Sequence, residues 1–105
     1  MAYEIEWSPE AYEDVDDIAE FIAKDSVFYA EAIVGKMLEA ASSLDQMPER
    51  GNLVPELQLP EYREIFIYSY RLIYRVEVNT VLIVAAIHGK RLLNKIEERF
   101  DIEDQ

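Results

Sequence analysis

The sequence predicts an α+β fold: an N-terminal strand, an antiparallel helix hairpin, then a three-stranded antiparallel meander. Three observations carry this reading. Residues 8–46 repeat their apolar positions at helical spacing in two blocks, each headed by a serine. Residues 62–88 are rich in β-branched and aromatic side chains and are interrupted only near Ser69 and at Asn79. Half of the 105 residues are apolar and 11% are aromatic, which is enough for one modest core, so residues 1–105 are expected to form one domain.

Each element has a local cause. Tyr3-Glu4-Ile5-Glu6-Trp7 alternates apolar and charged residues, the pattern of a half-buried strand. Ser8 can accept from the orphan amides of a helix, Pro9 suits its first turn and Glu10 suits its positive end. Ala11, Val15, Ile18, Ala19 and Ile22 then form an apolar stripe to about residue 24, with Glu13, Asp14, Asp16, Asp17 and Glu20 on the other face. Asp25-Ser26 breaks the helix and caps the next. Ala30, Ile33, Val34, Met37, Leu38, Ala41 and Leu44 continue to about residue 46. The short connection makes the two helices antiparallel.

Met47 to Pro55, with two prolines and a glycine, reads as a loop. Strands are expected over Tyr62–Tyr68, Tyr70–Val78 and Thr80–His88. In the middle strand Leu72, Tyr74, Val76 and Val78 should face the helices, and Arg71, Ile73, Arg75 and Glu77 should face water or a partner. Gly89 ends the third strand. Leu92 to Phe100 is expected to be a short helical or irregular tail.

Composition excludes several classes of function. There is no cysteine and one histidine, which removes disulfides, thiolate metal sites, a cysteine nucleophile and two-histidine catalysis. No glycine-rich phosphate loop is present, and no metal or cofactor is expected. The longest apolar run, Val81 to Ile87, falls well short of the ~20 residues that span a membrane. The first residues lack the basic and apolar regions of a signal peptide, so a cytoplasmic protein is expected. With 22 acids against 10 Lys and Arg, the net charge is −12, which disfavours direct binding to DNA or anionic membrane.

The charge is uneven. Residues 1–50 hold 13 acids and 3 bases; residues 51–105 hold 9 acids and 7 bases. The candidate functional residues are therefore the cations of the second half: Arg63, Arg71, Arg75, Lys90 and Arg91, with His88. On the sheet face away from the helices they could form a patch that grips phosphate or stabilises an anionic transition state. The bland alternative is that Arg71 and Arg75 pair with Glu64, Glu77 and the acidic helices.

Tyr70-Arg71-Leu72-Ile73-Tyr74-Arg75-Val76, then Val81 to Ile87, then His88-Gly89-Lys90-Arg91, resembles the RelE/ParE superfamily of bacterial toxins. The opening Trp7-Ser8-Pro9-Glu10-Ala11 is similar to that family's start. The stretch from Pro48-Glu49-Arg50-Gly51 to Val54-Pro55-Glu56-Leu57 is similar to the loop before the sheet in ParE proteins. The resemblance covers essentially the whole chain and implies the fold derived above. It also implies the toxin of a two-gene toxin–antitoxin module of the plasmid-stabilisation type, neutralised by a ParD-like antitoxin that wraps it.

The superfamily splits by target. RelE-like members cleave mRNA on the ribosome; ParE-like members inhibit DNA gyrase. Aligned on the Tyr-Arg-Leu-Ile-Tyr segment, this sequence keeps two basic positions of the nuclease, Arg71 and Arg91, with His88 as a possible acid–base group. Tyr62 and Glu64 stand at its lysine positions and Glu97 at its tyrosine position. A carboxylate in place of a lysine at ~4 Å and an effective dielectric near 20 reverses several kcal/mol of interaction with phosphate. The resemblance thus implies a gyrase inhibitor, with Arg63, Arg71, Arg75, His88, Lys90 and Arg91 as target contacts. The alternatives are a ribosome-dependent endonuclease and a non-toxic module that binds only its antitoxin. Because the helices are acidic, the toxin-binding part of that antitoxin should be less acidic than usual.

Overall fold

The computed structural model describes residues 2–89 and Arg99. Its elements are β1 (Glu4–Trp7), α1 (Pro9–Ala23), α2 (Val27–Ser43), β2 (Asn52–Leu53), β3 (Tyr62–Ile67), β4 (Tyr70–Val76) and β5 (Thr80–His88). Both serine caps form. Ser8 Oγ accepts from the amide of Ala11 at 3.1 Å, and Ser26 Oγ accepts from that of Tyr29 at 3.0 Å. Lys90, Arg91 and the expected tail from Leu92 to Phe100 lie outside the described residues, apart from Arg99.

β3, β4 and β5 form the antiparallel meander that the sequence predicts. Among the described residues the sheet is larger, with five strands in the order β1-β5-β4-β3-β2. β1 pairs in parallel with β5, Glu4 opposite Thr80 and Trp7 opposite Ile83. β2 is a two-residue strand within the stretch read as a loop, and it pairs with Glu64 and Arg63 of β3. Gly51 makes this contact possible. A Cβ there would lie 2.5 Å from the carbonyl oxygen of Glu64 and 2.7 Å from the Tyr74 hydroxyl. Instead the Gly51 amide donates to that hydroxyl at 3.0 Å.

The sheet has two covered faces. On one, Ile65, Ile67, Leu72, Tyr74, Val81, Ile83 and Ala86 pack against Val15, Ile33, Met37 and Leu44 of the hairpin. On the other, Tyr62, Ile73, Val84, Ala85 and Ile87 form a smaller core with Val54, and Leu57 and Leu59 pack against it. Residues 54–59 thus run as a strap across the face expected to meet water. Ile73, placed there by alternation, is fully buried. Val78, expected to face the helices, is exposed because β4 ends at Val76.

One irregularity matters for the site. Ile73 pairs with Ala85 but Tyr74 pairs with Ile83, so Val84 is an extra residue, a β-bulge. Val84 and Ala85 both turn to the strap face. The alternation of β5 is inverted beyond them, which puts Ala86 on the helix face and His88 with it.

Candidate functional site

Arg71 is the centre of the strap face, and it is closed. It is only 4% exposed. Its Nε donates to Glu64 Oε1 at 2.7 Å, and its two terminal nitrogens donate to Glu56 Oε2 and Oε1 at 2.9 and 2.8 Å. Glu64 comes from the neighbouring strand and is itself buried; Glu56 comes from the strap. The hydrogen bond to Glu56, against the opposing effect of burial, holds Arg71 protonated above its ordinary range, and Glu64 adds to it. The same contact holds the Glu56 carboxyl below its ordinary range. Two carboxylates on one guanidinium leave the cluster net negative and engage all three of its nitrogens.

Arg75 lies four residues further along β4, on the same face. Its Nε donates to Glu77 Oε2 at 2.8 Å, and its guanidinium sits 5.9 Å over the Tyr62 ring. Hydrogen bonding to Glu77, then to Tyr62, raises its pKa. The bland reading of these two arginines therefore describes their contacts, with one difference. The extra carboxylate comes from the strap and not from the helices. Glu56 is the residue that sequence reasoning missed. The signal for it was available in the strap's own pattern, since Val54, Leu57 and Leu59 are apolar residues in a loop and need a surface to cover.

The four described members of the expected patch do not share one face. Arg63 pairs across from Tyr74 on the helix face, where its Nη1 donates to the carbonyl of Gly51 at 2.8 Å. His88 is also on that face, carried over by the bulge. Its ring meets Tyr70 edge-on at 5.6 Å between centroids, and it shares a cleft with Asp14 and Asp17 of α1. Among the described residues the candidate cations are thus split between the two faces, Arg71 and Arg75 against Arg63 and His88. Lys90 and Arg91 are outside them.

A second feature lies on the outer side of the hairpin. A groove of about 490 Å³ runs between α1 and α2, floored by Ala19, Ala23, Ala30, Val34 and Leu38, with Glu20 and Glu31 also lining it. A Cβ built on Gly35 meets no atom within 4 Å, so the groove is open there. Phe21, Val27 and Phe28 stand exposed around the tip of the hairpin. No described helix is long and apolar enough to cross a membrane, and no described group of acidic or histidine residues could hold a metal ion.

The model of the ParE toxin of the type II toxin–antitoxin system parDE matches residues 5–100. The chain belongs to the ParE toxin family. This ParE-family chain is the toxin of a type II toxin–antitoxin system, within the RelE/ParE superfamily. Its fold agrees with solved structures. It is similar to a chain of the chromosomal ParDE system from P. aeruginosa, at 18% identity and a TM-score of 0.70 over 85% of this chain and 98% of that one. It is similar to a chain of the RelBE2 toxin–antitoxin complex from Mycobacterium tuberculosis, at 22% identity and a TM-score of 0.63 over 84% and 99%. It also resembles a double arginine-to-alanine mutant of the E. coli toxin RelE in the free state, at 18% identity and a TM-score of 0.63 over 86% of each chain. No curated protein matches the chain closely enough to count as a relative.

Proposed function

We propose that this toxin acts by binding and inhibiting a protein target, DNA gyrase, and does no phosphodiester chemistry of its own. The observation that carries this is the closed guanidinium of Arg71. A residue that grips a scissile phosphate must offer its fork to solvent. Here the fork is filled by Glu56 and Glu64 beneath the strap. Glu64, at a position where the nuclease resemblance expects a lysine, is the buried partner of that arginine and would repel a phosphate. In this reading Arg63 and Arg71 hold the 49–59 loop in place, and Arg75, His88, Lys90 and Arg91 are the contacts to the target.

A supercoiling assay with purified protein and gyrase tests it, run with and without the antitoxin. Inhibition that the antitoxin relieves is expected. Codon-positioned cuts in translated mRNA that vanish in Arg91→Ala, without gyrase inhibition, would replace this reading with the endonuclease. Absence of both effects, and of any growth defect on overexpression, would leave a module that only binds its antitoxin.

The partner in this reading is a ParD-like antitoxin that lays a helix over the hairpin groove. Glu20 and Glu31 line that groove, α1 is strongly acidic and the chain carries −12 overall. The matching helix therefore presents small apolar residues flanked by Lys or Arg. Glu20→Lys with Glu31→Lys should weaken the complex and flatten its dependence on salt. A complex whose groove contacts are acid against acid would refute this.

A further inference from the structure

β1 accompanies β5 only as far as Ile83, after which Ser8 takes the carbonyl of Ile83 and the chain turns into α1. Beyond that point, among the described residues, no strand lies on the outer edge of β5. The amide of Ala86 instead donates to Asp14 Oδ2 of α1 at 3.0 Å. The same carboxylate holds Arg99, whose Nη1 meets Oδ2 at 2.6 Å and whose Nη2 meets Oδ1 at 3.2 Å. Beside this pair is a cleft of about 320 Å³ between α1 and the sheet, lined by Asp17, Phe21, Tyr70 and His88 as well as Asp14.

Four features of this seam point to one kind of ligand. Asp14 has a side chain only 14% exposed, so its charge needs a cation close by. Both of its oxygens are met by one planar fork, the geometry of arginine rather than lysine. Phe21 and Tyr70 offer aromatic surface beside the carboxylate, and Phe21 is 68% exposed. Finally, among the described residues acid exceeds base here. Glu10, Glu13 and Asp14 all act on Arg99, and Asp17 lies in the same cleft. That is an excess of acid in a chain with only 10 Lys and Arg.

We propose that this seam between α1 and the open edge of β5 is a docking site for an arginine-bearing segment of a partner protein, and that Arg99 fills it in cis when the partner is absent. A second copy of this chain is a poor occupant, since two chains of net charge −12 repel. The proposal is independent of whether the toxin's target is gyrase. Arg99 acts as an internal competitor, so the seam binds a foreign arginine only as well as that arginine outcompetes it. Removing Arg99 should expose the site.

The test uses the full chain and the tripeptide acetyl-Gly-Arg-Gly-amide, with its neutral citrulline counterpart, followed by amide NMR shifts at 150 mM salt. In Arg99→Gln the arginine peptide should shift Ala86, Asp14 and His88, with half-saturation at least fivefold lower than in the unaltered protein. The citrulline peptide should shift none of them. Asp14→Asn, which keeps an oxygen for the Ala86 amide, should abolish binding in the Arg99→Gln background. Arg99→Lys is the second variant should the glutamine not fold, and it should give an intermediate affinity. Equal binding by the unaltered protein and Arg99→Gln would overturn the competition. Binding that survives Asp14→Asn, or that citrulline reproduces, would overturn the site.

Discussion

The two faces of the sheet are covered in different ways. The helix face is closed by two capped helices whose buried side chains, from Ala11 and Val15 to Met37 and Leu44, are all apolar. The strap face is closed by six residues, of which Val54, Leu57 and Leu59 supply the apolar contact. A segment that short cannot bury enough hydrocarbon to offset the entropy of ordering its own backbone. It is fixed instead by a charged clasp, Glu56 to Arg71 to Glu64, and by the Arg63 contact to Gly51 at its root. Apolar cover tolerates many sequences of similar volume, whereas a clasp depends on particular partners.

The largest effect should come from removing the clasp's centre. Arg71→Ala strands the buried Glu64 and is expected to cost about 3–5 kcal/mol in urea unfolding. Converting the cluster to Arg71→Met, Glu64→Gln and Glu56→Gln should recover most of that loss. If Arg71→Ala alone were neutral, the strap face would be held by its apolar contacts and the contrast between faces would disappear. Next in size, Met37→Ala on the helix face should cost about 2–5 kcal/mol, while Leu57→Ala on the strap should cost about 1 kcal/mol because that residue is only half-buried.

Glu56→Gln sharpens the comparison through pH. The folded-state pKa of Glu56 is depressed below 4.5, so its contribution is present above that value and is lost as pH falls through the folded pKa. Glu56 is half exposed, so solvent screening keeps this contribution small. The stability gap between the unaltered protein and Glu56→Gln should therefore be open at neutral pH and close below pH 4.5. A gap that persisted in acid would mean that the clasp is held by shape and not by charge. The smallest effect belongs to neither face. Tyr68, in the β3–β4 turn, has φ of +55°, and Tyr68→Gly should raise stability by about 0.5–1 kcal/mol or less.

The helix hairpin was legible because its caps and stripes are local: Ser8, Pro9 and Ser26 announce each helix, and the strands follow from their β-branched runs. What could not be read depends on partners far along the chain. β2 is two residues whose only cause is the bare face of Gly51 lying against Glu64 and Tyr74. The bulge at Val84 has no signature in a run of seven apolar residues, yet it decides the face on which His88 stands. The pairing of Arg71 with Glu64 was foreseen as the bland alternative because the two sit on adjacent strands. Glu56 escaped because a loop's path over a sheet is set by tertiary contacts.

The parallel pairing of β1 with β5 joins two strands far apart in the sequence, Glu4 to Thr80 and Trp7 to Ile83. During synthesis α1 and α2 can form early, since their contacts are local. β1 cannot, because its partner strand β5 is made only after both helices and the other strands. The toxin's sheet is thus finished only once β5 is available, and a product truncated before Thr80 carries a helix hairpin without a complete sheet to support it.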